Sequence, residues 1–283
     1  EGFYVGGSIW QEGKEPELEG VELAYNRIER TGWDGLQVGS AVKDVKVHHN
    51  TIVDAGLSDN PHSGNGRFGM IINRGTTGDF YNNKIYNSRS AGVYIQGIGN
   101  YRFYNNLIVN SGMAKKYDGI AWMVGSNGYF YNNTIVKSVG NGIRCSSGIT
   151  SGQIYDNILA EVATPYINGC NVTTTNNLTY SLTTQAGFVN PTTSDFHLKS
   201  TSPAVNAGSV SGFAPFDLDD ITRPQGAKAD IGAYEFGGAI GPTPTPTPVD
   251  IKGLLSAYAT SQADFDVNND GKVNSPDFAV SVR

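Results

Sequence analysis

Two groups of residues in this chain carry chemistry by type and spacing. The first is "DVNNDGKVNSPD", Asp266 to Asp277. Oxygen donors fall at positions 1, 3 and 5 (Asp266, Asn268, Asp270), Gly271 takes the sharp turn, and Asp277 closes the loop. That pattern suits Ca²⁺, with Lys272 offering its backbone carbonyl and Asn274 acting directly or through water. Ser275 and Pro276 are a good start for an exiting helix. The second group is basic and amide-rich: His62, Arg67, Arg89, Lys115, Lys116, Tyr117 and Arg144, with Gln37, Asn73, Tyr94 and Gln96. Amides make paired bonds to sugar hydroxyls, and aromatic faces accept C–H-bearing rings. On a chain of net charge −6, a local basic cluster fits an anionic polysaccharide.

A repeat positions the second group. "AYNRIE", "HHNTIV", "YNNKIY", "YNNLIV", "YNNTIV", "YDNILA" and "TNNLTY" place a marker Asn at 26, 50, 83, 106, 133, 157 and 177. Three residues before each complete marker stands Leu23, Val47, Phe80, Phe103, Phe130 or Ile154. Two after stands Ile28, Ile52, Ile85, Ile108, Ile135 or Leu159. The flanking columns are mixed, as period-2 strands require. A second block reads "DGLQV", "FGMII", "AGVYI", "DGIAW" and "NGIRC". Each unit thus holds three short strands and cannot bury its apolar face alone. Stacking the units predicts an all-β solenoid, a parallel β-helix with three strands per coil. The marker Asn suits a left-handed bend, and its amide reaches the equivalent Asn one coil away to form an Asn ladder.

The pattern resembles the right-handed parallel β-helix family of pectate-lyase-like proteins, over about Gly2 to Tyr180. The resemblance implies that the Gly block is the first sheet, the strand before the Asn the second, and the strand after it the third. It implies a substrate lying along the outside of the first sheet. Alternation puts Tyr4, Gln37, Ile71, Tyr94, Ala121, Arg144 and Asn168 in one outer column. The next column holds Gly6, Gly39, Asn73, Gln96, Met123 and Ser146. Two expanded turns, Asn50 to Gly69 and Asn106 to Gly119, flank the coil of Tyr94 and Gln96. They predict a cleft walled by His62 and Arg67 on one side and by Lys115, Lys116 and Tyr117 on the other, with Arg89 and Arg144 nearby.

Four regions follow: a β-helix over 1–180, a closing segment over 181–237, a linker over 238–249 and a small module over 250–283. "GFYV" at Gly2 reads like a first-sheet strand, so earlier coils are expected to precede it. The closing segment is expected to block the open end of the stack, with His197, Asp217, Asp219, Asp220 and Asp230 as its polar cap residues. "GPTPTPTPVD" is an extended Pro-Thr spacer. The last region looks like half of a dockerin, an EF-hand-like α module. That resemblance implies Ca²⁺ and a cohesin-like or cell-surface partner, although "VDIKGLLSAYATS" offers no second loop and Pro276 departs from the pattern.

The expected activity is that of a secreted carbohydrate-active protein, a polysaccharide lyase or epimerase on an acidic polymer. The alternative is a non-catalytic extracellular glycan-binding or adhesion protein. A lyase needs a base beside a uronate carboxylate and a cation to neutralise it. Lys115, Tyr117, His62 and Tyr94 are candidates for the base, and Arg144, Arg89 and Arg67 for the cation. A glycosidase is disfavoured: its two carboxyls stand about 5–9.5 Å apart, whereas Asp34 and Asp118 lie three coils, or roughly 14 Å, apart. No acidic cluster on the first sheet suggests Ca²⁺ there. Net charge argues against nucleic acid, and no apolar run reaches the roughly 20 residues of a membrane span. Glu1 stands where an initiator Met would, so the lack of a leader is uninformative. Tyr81, Tyr104, Tyr131 and Tyr155 are expected to stack on one another. His48 and His49 should point to opposite faces of a strand. Cys145 and Cys170, about one coil apart, are within disulfide reach if the register allows.

Overall fold

In a computed structural model, 1–7, 17–59, 66–114, 117–124, 127–149, 151–168 and 170–238 are described. The Pro-Thr spacer, the 250–283 module and the Asp266–Asp277 loop lie outside these residues, as do His62, Lys115 and Lys116. The described chain winds as a parallel β-solenoid with three seven-stranded sheets. The first sheet pairs Phe3–Val5, Leu36–Val38, Met70–Ile72, Val93–Ile95, Ile120–Trp122, Ile143–Cys145 and Tyr166–Asn168 in coil order. Registers keep Phe80 opposite Val47 and Phe103, and Ile85 opposite Ile52 and Ile108, so like stacks on like. Both columns are fully buried, and Phe80, Phe103 and Phe130 stack at 5.3 and 5.9 Å. Each such side chain stabilises the fold by roughly 1.5–3 kcal/mol relative to exposure.

The doubled Asn has two jobs, one per residue. The residue before each marker takes the left-handed backbone (Asn82, Asn105 and Asn132 at φ 50, 52 and 51). The marker itself runs the ladder. Asn50, Asn83, Asn106 and Asn133 each donate Nδ2 to the next marker's Oδ1 at 2.9–3.0 Å. The expectation that one Asn does both is therefore corrected. The Gly of the first sheet is required by packing. A Cβ on Gly92 would stand 2.4 Å from Ile108 Cγ2 and 2.8 Å from the Gly119 carbonyl, closer than side chains tolerate.

Residues 181–238 do not stop at the end of the stack. They run back along the third sheet, whose outward Leu107, Val109, Val136 and Ile158 pack with Phe188, Phe196, Leu198, Leu218 and Ile231. This corrects the expected end plug. The physical cause is an apolar outer column on the third sheet, which must be covered. The left-handed corner holds the segment too: Asn82 donates to the Asp217 carbonyl (2.8 Å), Asn132 to that of Asp230 (3.1 Å) and Asn176 to that of Ala207 (3.0 Å). Inside the segment, Asp217 accepts the amides of Asp219, Ile221 and Glu235, and Arg223 pairs with Glu235 at 3.0 Å. No helix among the described residues is long and apolar enough to cross a membrane.

Candidate active site on the first sheet

The outer face of the first sheet carries a small apolar floor. Phe68, Ile71, Ala91 and Ala121 are buried, and Tyr94, Tyr117 and Met123 pack against them. Strand pairing sets the columns: Gln37 lies opposite Ile71, Ile71 opposite Tyr94, Tyr94 opposite Ala121, and Ala121 opposite Arg144. The next partner of Arg144 is Ile167, with Asn168 opposite Cys145, so Asn168 is one residue out of the expected column. Phe68 stacks on Tyr94 at 4.3 Å and meets Tyr117 edge-on at 6.0 Å. Burial raises the Tyr94 phenol above its ordinary value; Tyr117 adds to this and Arg144 opposes it. Tyr94 is thus a hydrogen-bond donor near neutral pH rather than a base.

Arg144 is the charged end of the floor. Its Nε stands 2.9 Å from Oδ2 of Asp118, although neither atom meets hydrogen-bond geometry. The contact is one of charge more than of a directed bond. Asp118 is buried and accepts the Asn141 amide at 3.0 Å, which braces the turn into the coil of Arg144. The Cys145–Cys170 bridge, with Cα atoms 5.7 Å apart, pins that coil to the next one. Asp34 plays the same bracing part upstream: its Oδ1 accepts the Phe68 amide at 2.8 Å, and burial pushes its carboxyl up to about 6. Asp34 and Asp118 are therefore both committed to turns.

The remaining candidates are distributed as follows. Gln96 donates to Oδ1 of Asn73 at 2.6 Å, one coil apart, forming an amide pair beside the floor. Gln37 is buried in the Tyr94 column. Arg67 has a positive φ of 89, and its main chain helps to hold Asp34. Arg89 turns to the preceding loop, where it meets Asp59 at 3.1 Å and the Leu57 carbonyl at 3.4 Å. The structure thus gathers Tyr94 and Tyr117 around Phe68, sets Arg144 beside Asp118, keeps Asn73 with Gln96, and directs Arg89 to the loop. Phe68 was not picked out from the sequence. Its signal was a large aromatic in a column otherwise held by Asp34, Ala91, Asp118 and Asn141.

A family model described as "Right handed beta helix region" matches residues 55–199. The chain belongs to the right-handed β-helix family. Among solved structures, this β-helix is similar to one titled "Crystal structure of pectate lyase Pel9A", at 13% identity with a TM-score of 0.53. That match covers 77% of this chain and 66% of the other, so this β-helix spans just under two thirds of the pectate lyase. No curated protein matches it. At that identity the likeness is one of fold.

Away from the first sheet, the tyrosine column of this β-helix stacks as expected. Tyr81, Tyr104, Tyr131 and Tyr155 follow one another at 5.0, 5.0 and 5.1 Å, with His48 stacked on Tyr81 at 4.6 Å. Burial pushes Tyr81 and Tyr155 up to about 12. Their faces cover one another rather than offering a platform to a sugar. His48 and His49 depart from expectation. Their rings meet, with the two Nδ1 atoms 2.7 Å apart, because His49 has left-handed backbone (φ 53) and is no longer part of the strand. No group of three or more metal-binding side chains occurs among the described residues.

Proposed function

We propose that this β-helix takes an acidic polysaccharide along the outer face of its first sheet, as an extracellular carbohydrate-active protein. The observation that carries the reading is the Phe68, Tyr94 and Tyr117 floor ending in Arg144. Aromatic faces accept the apolar side of a pyranose, and a guanidinium pairs with a carboxylate through two parallel bonds. The Asn73–Gln96 amide pair supplies hydroxyl partners beside it. The disulfide suits an oxidising compartment.

The most concrete form is a lyase or a related epimerase. In the lyase, a base takes the proton on the carbon beside the uronate carboxylate, Arg144 stabilises the developing charge, and the glycosidic oxygen departs as a ring double bond forms. Lys115 and Tyr117 are the bases proposed. The test is a screen of pectate, alginate, hyaluronan and chondroitin for the ultraviolet absorbance of unsaturated sugar ends. Lys115→Ala should abolish the signal while leaving binding in place. Arg144→Ala should weaken both, by roughly 10–100-fold for a lost charged hydrogen bond. Binding without cleavage, weakened by Tyr94→Ala and indifferent to Lys115→Ala, selects the second reading, a glycan-binding or adhesion protein. One observation favours that reading: Arg144 is already paired with Asp118. Binding to none of the four polymers would refute both. The Asp266–Asp277 loop is proposed on sequence alone to take Ca²⁺, and the module around it to anchor the protein through a cohesin-like or cell-surface partner.

A further inference from the structure

The left-handed corner of the solenoid is occupied by Asn or Asp in five of its seven coils, at Asn82, Asn105, Asn132, Asp156 and Asn176. In the first two coils it holds Tyr25 and His49, at φ 58 and 53. A ring in this backbone region is uncommon, and here it builds a chain of contacts. Glu22 Oε1 lies 2.9 Å from Nε2 of His48. Nδ1 of His48 lies 2.7 Å from Nδ1 of His49. Nε2 of His49 lies 3.0 Å from Oδ1 of Asp220, on the C-terminal segment. Tyr25 stacks on His49 at 4.7 Å, and Tyr81 covers His48.

The protons in this chain can be counted. Each outer nitrogen faces a carboxylate as its nearest partner and so carries a hydrogen, with Nδ2 of Asn82 standing further off, 3.2 Å from Nε2 of His49. The inner pair of nitrogens, at 2.7 Å, has room for one hydrogen between them. Four ring nitrogens therefore share three protons, and the two imidazoles carry one positive charge between two acids. A fourth proton would set two N–H groups against each other at hydrogen-bond distance, and the rings would have to part. Burial also opposes a charge on His49, lowering its proton affinity below that of an ordinary histidine.

We propose that His48 and His49 form a proton-counting latch, which holds the Asp217–Asp220 turn of the C-terminal segment against the first coils while the pair carries three protons and releases it when a fourth binds. Glu22, with Lys46 close to it, faces His48 from the second sheet. Tyr25 and Tyr81 supply phenols whose affinities are raised by burial. Lys84 sits on the third sheet and is paired with Asp219 at 3.1 Å. Asp219 also takes Nε2 of His197 at 2.7 Å, and Asp195 takes its Nδ1 at 2.6 Å. Those two acids raise His197 to about 9, so its titration lies at the alkaline end and does not overlap the latch. A cavity of about 200 Å³, lined by Tyr25, His49, Lys84, Asp219 and Asp220, gives water a path to the His49 edge. The sign follows. A group that resists protonation in the docked state adds stability above the ordinary histidine range near 6.5 and loses it as pH falls below.

His49→Asn is the informative variant, because Asn is what the same corner uses in later coils, where it bonds the segment without titrating. Amide exchange across 217–223, corrected for intrinsic pH dependence, reads the latch in the full chain. Wild type should lose about tenfold in protection between pH 7 and pH 5. His49→Asn should hold within about twofold. Parallel loss in both proteins, or none in wild type, overturns the latch. Should His49→Asn be unprotected already at pH 7, His48→Gln carries the test. Its amide retains a donor for Glu22 and cannot titrate, so a surviving acid response would overturn the proposal. His197→Gln must keep the wild-type acid response, since its loss would move the switch to His197.

Discussion

Asn106→Ala measures what the ladder contributes. The Asn106 side chain is fully buried. Its Oδ1 accepts from the Asn83 amide N–H and from Asn83 Nδ2, both at 3.0 Å. Its Nδ2 donates to the carbonyls of Phe80 (2.9 Å) and Tyr104 (3.0 Å) and to Asn133 Oδ1 (3.0 Å). Truncation leaves the buried Asn83 amide without this acceptor, at about 1–3 kcal/mol. Asn83 Nδ2 keeps the Val47 and Tyr81 carbonyls, and Asn133 Oδ1 keeps the Asn106 amide, so the other losses are nearer the net value of about 0.5–1.5 kcal/mol each. The sum is about 2–6 kcal/mol. At the first coil, Asn26 donates to Asn50 Oδ1 and the Ala24 carbonyl, with no donor to its own Oδ1 among the described residues. Asn26→Ala should cost about 1 kcal/mol. Urea denaturation followed by circular dichroism, with midpoint and slope fitted together, compares the two. Equal shifts, or a shift below about 1 kcal/mol for Asn106→Ala, would refute the view that the buried ladder is a cooperative part of the fold.

Two further predictions concern the first sheet. Asp34 binds its proton more tightly folded (about 6) than unfolded (3.8), so its contribution is present below pH 3.8 and is lost as pH rises through about 6. Asp34→Asn should therefore match wild type near pH 4 and exceed it at pH 7.5 by up to about 3 kcal/mol, read as the difference in denaturation midpoint. A variant destabilised equally at both pH values would show that the carboxylate form is needed. Replacing both Cys145 and Cys170 by Ser opens a loop closed over a separation of 25 residues and should cost about 3 kcal/mol. If the bridge also positions Arg144, glycan affinity will fall more than that of a wild type destabilised equally by mild denaturant.

The solenoid was legible in the residues because its constraints repeat. One apolar column three residues before the Asn and one two residues after are enough to specify which strand faces inward. Stacking then places every coil on the next at sheet spacing. The Asn ladder follows from the same column, since an amide can both donate and accept along one axis. What repetition could not reveal is anything that happens once. Phe68 became the centre of the first-sheet floor because Tyr94 approaches it from the next coil and Tyr117 from the one after, and the column pattern alone does not say which ring touches which. Asn168 pairs with Cys145 rather than Arg144 because the stretch from Asn157 to its strand is one residue shorter than the stretch from Asn133 to Ile143. His48 and His49 were assigned to opposite faces by strand alternation, but the left-handed corner turns His49 back onto its neighbour. The path of residues 181–238 was decided by a surface: Leu107, Val109, Val136 and Ile158 leave an apolar face on the third sheet, and a non-repeating segment covers it. Local periodicity thus determined the coil, while contacts between residues distant in sequence, which no period encodes, decided the floor, the latch and the course of the closing segment.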